Sequence, residues 1–435
     1  MTLPSASRPV HRRPTHLDPP TDRPSPNRTT MSTPGKGTIA ATPPMGWCTW
    51  NAFRTAIDET MVIAMADAMA STGLRDAGYR YLVIDDGWQA PRRDRHGRLA
   101  SDPHRFPSGI PALVEETERR GLTLGIYASP GRQTCAMIYD QYTGEGLGSY
   151  GHEQQDMTQF ADWGIGYLKY DWCEAHRSGT GLDYRSAFTR MRSVIDDLGW
   201  PGIYSISEYG RSNPWEWAPG TAHSWRTTPD ILPTWESILG IAHNSRFIGR
   251  YAGPGGWNDL DMLQVGNGEL TAAECRTHLT LWSLLASPLM AGNDLRTMPE
   301  WVSSVLTNPG VIAIDQDPAG RPGNRLLRED THEIWTRPLA RGRHAVAVIA
   351  TGREPVHVTW DGTTLRTRDP HEMAIRLPVT GPLRDIWTGT AVEDRAVDPH
   401  DVLLAVPDQP SPDRGRSPAE HPAPAQPASP RGDER

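Results

Sequence analysis

The sequence predicts an α/β protein made of a (β/α)8 TIM barrel followed by a small C-terminal antiparallel β-sandwich domain. Three observations lead to this fold class. Between Pro43 and Pro318, eight short apolar runs alternate with helical patterns, and eight βα units in about 270 residues fit a closed barrel. The first two βα loops lack the Gly-rich phosphate loop of the alternative, a doubly wound open sheet. From Arg321 onward, short alternating strands follow without helices between them.

The barrel strands are predicted where a short apolar run ends in polar or aromatic residues, as is typical of strands buried in a parallel sheet. These runs lie at 45–50, 81–84, 122–127, 166–169, 202–205, 224–226, 255–258 and 288–291. Helical periodicity predicts helices at 59–71, 110–120, 153–163, 184–198, 235–243 and 272–286. Met61, Met65 and Met69 recur at every fourth residue and are expected to form a buried helix face.

Changes in composition set the predicted domain boundaries. We predict the barrel at 39–320 and the β domain at 321–407, with strands at 333–337, 345–350, 356–360, 371–377, 383–387 and 401–406. Residues 1–38 and 408–435 are rich in Pro and polar residues and are predicted to be disordered. Residues 1–38 also lack the apolar stretch of a secretory signal, so the sequence as written predicts a cytoplasmic protein, with secretion left open.

Composition argues against several classes of partner. The formal net charge is −8 and no Lys/Arg run is long enough to follow a phosphate backbone, so no nucleic-acid partner is expected. No apolar stretch approaches the roughly 18 residues that span a bilayer, so no membrane partner is expected. The bias to 16 Trp against 5 Phe favours sugar binding, because an indole ring offers a flat apolar face to a sugar ring.

Charged side chains gather where the predicted strands end, which is the functional face of a barrel. A single Asp after a strand is usually a helix cap, but so much charge at one rim is expected only at a site. Glycoside hydrolysis needs two carboxyl groups flanking the scissile bond, and this rim offers several. The charged residues are Asp85, Asp86, Lys169, Asp171, Glu208, Arg226, Asp230, Asp259 and Asp261.

Asp171 and Asp230 are the best candidates for the two catalytic carboxyl groups. Asp171 ends a central strand, and Lys169 lies two residues before it on the same face, where a cation favours the ionised carboxylate of a nucleophile. Asp230 lies in a loop, where partial desolvation lets a carboxyl hold a proton as a general acid. The residue pattern by itself leaves the assignment of the two roles open.

The ordered motifs of the chain resemble glycoside hydrolase family 27, which contains α-galactosidases and α-N-acetylgalactosaminidases. The resemblance covers about residues 40–405, barrel and β domain together. Its motifs are TPPMGW at 42–47, YLVIDDGW at 81–88, LGIY at 124–127, FADWG at 160–164, YLKYDWC at 167–173, WRTT at 225–228 followed by Asp230, GPGGWNDLDM at 253–262 and SPL at 287–289.

This resemblance implies a retaining α-galactosidase that cleaves terminal α-D-galactosyl residues by double displacement, with no metal or organic cofactor. It implies that Asp171 is the nucleophile, that Asp230 is the acid/base, and that their carboxyl groups lie about 5–5.5 Å apart. Trp50 is expected to pack against the sugar, while Asp85, Asp86 and Lys169 bind its 4- and 6-hydroxyls. Further implied substrate contacts are Tyr127, Glu208, Arg226 and Asp261. A disulfide between Cys135 and Cys173 is also implied, whereas Cys48 and Cys275 are expected to be buried free thiols.

The loop after the fifth predicted strand departs from the family pattern. It reads Ser207-Glu-Tyr-Gly210, where many α-galactosidases have Cys-Glu-Trp-Gly. The resemblance implies that this loop faces the 2-substituent of the sugar, and that the bulky Glu208 favours a free 2-hydroxyl over an acetamide. The changes at Ser207 and Tyr209 keep β-L-arabinopyranosidase and isomalto-dextranase activities as alternatives. Pro229 replaces a usual small residue next to Asp230.

Two alternatives lie outside this family. A metal-dependent barrel hydrolase would carry His-x-His after its first strand, whereas this chain has Trp47-Cys-Thr-Trp50. A non-catalytic carbohydrate-binding protein would be expected to have lost Asp171 or Asp230, and both are present. The implied disulfide also conflicts with a reducing cytoplasm: either the two thiols stay reduced and pack against each other there, or the protein leaves the cell.

Overall fold

The computed structural model describes residues 39–368, 372–377 and 381–406. The two segments predicted to be disordered, 1–38 and 408–435, lie outside the described residues. Each described helix is too short or too polar to cross a membrane.

Eight parallel strands form the barrel, and they alternate with helices as predicted. The strands are β1 (Met45–Cys48), β2 (Tyr81–Ile84), β3 (Thr123–Ala128), β4 (Tyr167–Asp171), β5 (Ile203–Ser207), β6 (Ser224–Arg226), β7 (Trp257–Asp259) and β8 (Leu289–Ala291). They are ordered β7-β6-β5-β4-β3-β2-β1-β8. The amide of Leu263, just beyond β7, donates a hydrogen bond to the carbonyl of Met290 in β8 at 2.7 Å, which closes the sheet into a barrel.

Helices alternate with the barrel strands, and six of the described helices lie where the sequence predicts them. They are α1 (Trp50–Phe53), α2 (Glu59–Ser71), α3 (Leu74–Ala77), α4 (Gly109–Arg119), α5 (Cys135–Tyr139), α6 (Glu153–Asp162), α7 (Tyr184–Leu198), α8 (Pro214–Trp217), α9 (Trp235–Ser245), α10 (Ala272–Leu284), α11 (Glu300–Leu306) and α12 (Pro309–Asp315). Short 3-10 segments lie at Ala175–Ser178, Gly249–Tyr251, Leu295–Thr297 and Ala340–Gly342. Asp58 caps α2 by accepting a hydrogen bond from the Met61 amide. The predicted methionine face of α2 is confirmed as core, since Met61, Met65 and Met69 are all buried.

Two strand ends differ from the prediction in ways that matter for the site. The first strand was predicted to continue to Trp50, which is wrong. It ends at Cys48 because Thr49 takes helical dihedral angles (φ −68°, ψ −23°), so that Trp50 begins α1. The fourth strand continues past its predicted end at Lys169, and Asp171 is its last residue, paired with Ser207 of β5.

The C-terminal domain is an antiparallel sandwich, as predicted, and its two sheets have four strands each. Its strands are β9 (Asn324–Arg328), β10 (His332–Pro338), β11 (His344–Ala350), β12 (Val356–Trp360), β13 (Thr364–Arg368), β14 (Glu372–Arg376), β15 (Asp394–Val397) and β16 (Val402–Ala405). One sheet is ordered β16-β11-β10-β9 and the other β14-β13-β12-β15. The strand predicted at 383–387 is wrong: the segment makes isolated bridges only, because the Asp385 carboxylate accepts hydrogen bonds from the amides of Trp387 and Leu404 and holds a turn.

The sandwich packs on α10, away from the open end of the barrel. Arg276 of α10 forms an ion pair with Asp401 at 2.5 Å, and the Trp387 indole N–H donates to Thr280 Oγ1 at 3.1 Å. These contacts support a structural role for the sandwich as a cover on one side of the barrel.

Candidate active site

A cavity of about 850 Å³ opens at the C-terminal ends of the barrel strands, within the 300–1,000 Å³ typical of ligand sites. The loops after β1, β3, β5, β6, β7 and β8 all contribute to its wall. The structure brings eight of the ten predicted catalytic and substrate-binding residues onto this wall: Trp50, Asp85, Tyr127, Lys169, Asp171, Arg226, Asp230 and Asp261. Asp86 and Glu208 lie behind it.

Asp171 stands at the end of β4 and is 6% exposed. The Tyr209 hydroxyl donates a hydrogen bond to its Oδ1 at 2.5 Å. Burial raises the pKa of Asp171 to about 6, although Lys169 and Tyr209 act in the opposite direction by favouring the charged form. Near neutral pH the carboxyl is therefore mostly ionised, as a nucleophile must be.

A buried ion pair forms the floor of the cavity beside Asp171. The Lys169 ammonium lies 2.6 Å from Asp85 Oδ2, and the Cys48 thiol donates to the same oxygen at 3.1 Å. Burial disfavours the ammonium, yet Asp85 overrides it and raises the pKa of Lys169 well above its usual value. A carboxylate and an ammonium held this way offer an acceptor and a donor to neighbouring hydroxyls of a ligand.

Asp230 lies in the loop after β6 and has a contrasting environment. Its side chain is 69% exposed and lies 3.0 Å from Arg226 Nη2, which is also 3.0 Å from Asp261 Oδ2. Partial burial acts to raise the pKa of Asp230, but Arg226 outweighs burial and holds that pKa below its usual value. The pKa of Asp261 is raised by burial, with Arg226 opposing the shift. One guanidinium thus bridges two carboxyl groups at this side of the cavity.

Asp86 supports the wall and is not part of it. It is fully buried, and its carboxylate accepts hydrogen bonds from the amides of Ala136 (2.6 Å) and Gly87 (2.8 Å). Burial raises its pKa to about 7. In this structure Asp86 therefore anchors the first turn of α5, and its direct contact with a sugar stays a prediction.

Glu208 also lies behind the wall, and its neighbour Tyr209 takes the position on the cavity. Glu208 is fully buried, accepts a hydrogen bond from the Ser212 amide at 2.8 Å, and has its pKa raised by burial to about 7. Tyr209 lies beyond the end of β5 and has a left-handed φ of +64°, and its side chain lines the cavity. Sequence reasoning did not name Tyr209 as a site residue, although its departure from the Trp of the family pattern pointed to this position.

The predicted disulfide is present and joins two elements of the wall. The Cys135–Cys173 bond ties α5 to the end of the β4 segment. The Tyr127 hydroxyl accepts a hydrogen bond from the Cys135 amide at 3.1 Å and lies 2.8 Å from Cys173 Sγ. The two remaining cysteines, Cys48 and Cys275, are confirmed as buried free thiols.

Among the described residues, one group of side chains is close enough to hold a metal ion. It consists of Cys135, Asp171 and Cys173, whose ligand atoms lie within 4.8 Å of one another. Because the two sulfurs are bonded to each other, they offer no thiolate to a metal. The chemistry that this cavity supports best is instead that of two carboxyl groups acting on a bond between them.

Comparisons with known proteins identify the same architecture. A family model described as "Alpha galactosidase A" matches residues 42–317, and one described as "Alpha galactosidase C-terminal beta sandwich domain" matches residues 329–406. The chain is 40% identical to "Alpha-galactosidase A" of Cellvibrio japonicus over 365 residues, which cover 81% of this chain and 87% of that protein. It is 39% identical to "Alpha-galactosidase" of Cyamopsis tetragonoloba over 351 residues, 79% of this chain and 83% of the relative. The crystal structure of alpha-galactosidase I from Mortierella vinacea superimposes with a TM-score of 0.76 at 29% identity, covering 86% of this chain and 99% of the other.

Proposed function

Since the chain belongs to the alpha galactosidase A family, glycoside hydrolase family 27, we propose that it is a retaining α-galactosidase that releases terminal α-D-galactosyl residues by double displacement. The observation that carries the proposal is the placement of Asp171 and Asp230 on the wall of one cavity, where the charge of Lys169 acts on Asp171 and Arg226 pairs with Asp230. Two carboxyl groups in one cavity are what this chemistry needs.

In the first step, an oxygen of the Asp171 carboxylate attacks the anomeric carbon. The glycosidic C–O bond breaks, and Asp230 donates its proton to the departing oxygen. The products are a glycosyl ester on Asp171 and a free leaving-group alcohol. Lys169, two residues before Asp171 on β4, keeps the attacking carboxylate in its charged form.

In the second step, Asp230 is a carboxylate and takes a proton from water. The water oxygen attacks the same carbon, the ester bond breaks, and Asp171 leaves as the carboxylate. Each displacement inverts the anomeric carbon, so the two together retain its configuration. Arg226, at 3.0 Å from Asp230, stabilises the anionic form that acts as base in this step.

Selection of galactose is assigned to the floor of the cavity. We expect Asp85 and Lys169 to bind the axial 4-hydroxyl and the 6-hydroxyl, because an ion pair held at 2.6 Å presents an acceptor and a donor side by side. Trp50, on the first turn of α1, offers an apolar ring to the sugar.

The outer part of the cavity leaves room for the rest of the substrate. Tyr139 and Leu232 both line it and are 58% and 61% exposed. Exposed aromatic and aliphatic surface at a cavity mouth suits the less polar face of a second sugar or an aryl group. We therefore expect oligosaccharides and aryl α-galactosides to be substrates.

The test is hydrolysis of a panel of p-nitrophenyl glycosides with a dextran that contains isomaltose units. Preference for the α-galactoside over the α-N-acetylgalactosaminide, the α-glucoside and the β-L-arabinopyranoside is expected. Preference for the arabinopyranoside or the dextran would be consistent with the mechanism but would show that the assignment of α-galactosides as the substrate is wrong. Binding of galactose without hydrolysis of any panel member would point to a non-catalytic carbohydrate-binding protein.

The stereochemistry is tested separately by following the reaction with proton NMR. A retaining enzyme releases α-galactose first, and the β anomer appears later by mutarotation. If the β anomer were the first product, the double displacement would be wrong even for an active α-galactosidase.

A further inference from the structure

Tyr209 lies on the cavity wall in direct contact with Asp171. It follows β5 by two residues, and its hydroxyl donates to Asp171 Oδ1 at 2.5 Å. The same hydroxyl lies 3.4 Å from the Sγ of Cys135. Among the described residues, the Tyr209 hydroxyl is the one side-chain group that donates a hydrogen bond to the Asp171 carboxylate. The Lys169 ammonium donates to Asp85 instead.

The backbone around Tyr209 holds the ring in this position. Tyr209 has a φ of +64°, a left-handed conformation that costs free energy in a residue other than glycine and is kept where the surroundings enforce it. The next residue, Gly210, has a φ of +76°, and a Cβ there would lie 2.1 Å from the carbonyl oxygen of Thr227. The loop is thus packed directly against the end of β6, where only glycine fits.

Two cations flank the ring of Tyr209. The Arg211 guanidinium carbon lies 5.0 Å from the ring centroid, and that of Arg226 lies 5.9 Å from it. Both distances are within the range of cation–π attraction. The phenol is therefore held by the conformation of its backbone, by the two guanidinium groups near its ring and by the hydrogen bond of its hydroxyl.

We propose that Tyr209 is a positioning residue for the nucleophile, which holds one oxygen of the Asp171 carboxylate and leaves the other free to attack the anomeric carbon. This inference rests on the proposed function, because it concerns the nucleophile of that reaction. The sequence departs from the family pattern at this position, where many α-galactosidases have Trp. The fixed phenol restricts rotation of the carboxylate, and an attacking group that is already oriented avoids an entropic cost in the transition state.

The same hydrogen bond affects the charge of Asp171. The carboxyl is buried and faces Lys169 on β4, Asp85 beyond β2, Asp230 beyond β6, and the phenols of Tyr209 and Tyr127. Burial and the two other carboxylates favour its protonated form, whereas Lys169 and Tyr209 favour the anion. Removal of the Tyr209 hydroxyl must therefore raise the pKa of Asp171 further.

The test is Tyr209→Phe, which removes only the hydroxyl. The assay uses p-nitrophenyl α-galactoside, whose leaving group departs with little help from an acid, so that kcat/KM follows the charge of Asp171 and not that of Asp230. Because the nucleophile must be ionised, activity falls as the pH drops through the pKa of Asp171, and this acid limb of kcat/KM should move to higher pH. A hydrogen bond to a charged group corresponds to a shift of about one pH unit. At pH 5 such a shift lowers kcat/KM by about tenfold. Loss of orientation should also lower kcat at pH values above the acid limb, where Asp171 is ionised in both the variant and the wild type.

The matched control is Tyr204→Phe. Tyr204 is fully buried on β5, and its hydroxyl donates to the carbonyl of Phe188 at 3.1 Å, away from the cavity. This variant loses a phenol hydroxyl from the same strand, so it should lose stability and keep the pH profile of the wild type. An acid limb that moves equally in both variants would overturn the positioning role.

A second measurement does not depend on turnover. The Asp171 carboxyl can be titrated by carbon NMR in the free enzyme, with its resonance assigned by its loss in Asp171→Asn. A higher pKa in Tyr209→Phe than in the wild type supports the proposal, and equal pKa values overturn it. Failure of the wild type to hydrolyse α-galactosides would overturn the proposed function instead, and this titration keeps the two failures distinct.

Discussion

The carboxyl groups on the two sides of the cavity differ in exposure, and their pKa values are shifted in opposite directions. On the β4 side, Asp171 is 6% exposed, and burial raises its pKa to about 6. On the β6 side, the Asp230 side chain is 69% exposed and, although partial burial opposes it, Arg226 holds its pKa below the usual value. The free enzyme therefore prefers to protonate the carboxyl that should attack rather than the one that should donate a proton.

This contrast indicates that Asp230 becomes protonated, and so able to act as the acid, when the substrate binds. A leaving group seated against Asp230 removes water from an exposed carboxylate, and desolvation raises its pKa. Positive charge that develops at the anomeric carbon favours the ionised Asp171 at the same moment. Each side of the cavity is thus poised for its role only in the complex, and the variants below separate the two sides.

The largest effect is expected for Asp171→Asn, which removes the nucleophile. An amide at this position forms no glycosyl ester, so kcat for an α-galactoside should fall by about 10⁴-fold or more, whatever the leaving group. Steady-state assays measure the loss, and circular dichroism shows that the fold is retained. Turnover near that of the wild type would show that Asp171 is not the nucleophile.

The next effect is expected for Asp230→Asn and should depend on the leaving group. General acid catalysis contributes about 10²–10⁴-fold, so oligosaccharides should lose that much in kcat/KM, while p-nitrophenyl galactoside should lose far less. The galactosyl ester should then accumulate, because no base activates water, and azide should speed its breakdown. If Asp171→Asn showed this dependence instead, the two roles would be reversed.

A smaller effect is expected for Asp85→Ala on the floor between the two sides. The substitution leaves the buried Lys169 ammonium without its partner at 2.6 Å, so we expect stability to fall by about 3–5 kcal/mol. Selectivity for galactoside over glucoside should fall by about 10–100-fold, because each hydroxyl contact contributes about 1–3 kcal/mol. Thermal unfolding and the ratio of the two kcat/KM values measure the effects. An unchanged ratio in a folded variant would remove Asp85 from hydroxyl recognition.

The barrel was predictable because its strands are buried on both faces and read as continuous apolar runs. The β domain was less so: β13, TLRTR, alternates apolar and polar only weakly, and the sequence offered no strand there. The segment at 383–387 failed for the opposite reason, since its apolar residues serve a turn that the Asp385 side chain holds.

Within the site, the predicted residues that lie on the cavity wall include strand ends and two residues outside the strands, Trp50 and Asp230, whereas Tyr209 was not predicted. Asp85, Lys169, Asp171 and Arg226 follow directly from the strand pattern. Trp50 and Tyr209 depend on local dihedral angles, helical at Thr49 and left-handed at Tyr209 itself, and a sequence pattern does not show these. The contrasting exposure of Asp171 and Asp230 depends on how distant loops pack, which a single sequence does not specify.

The smallest effect is expected for Glu208→Gln, which tests that loop directly. Glu208 is fully buried behind the wall with a pKa raised to about 7, so the amide closely matches the shape of its protonated form. The Ser212 amide donates to Glu208 Oε2 at 2.8 Å, and a glutamine oxygen accepts this bond equally well. A hydrogen bond of this kind contributes about 0.5–1.5 kcal/mol. Because the variant keeps it, we expect kcat/KM for the α-galactoside to change less than about threefold. A tenfold rise in KM with unchanged stability would mean that Glu208 turns to the sugar on binding, as the family resemblance implies. Glu208 and Tyr209 would then both contact the substrate at the cavity wall, where Tyr209 alone lies in the free enzyme.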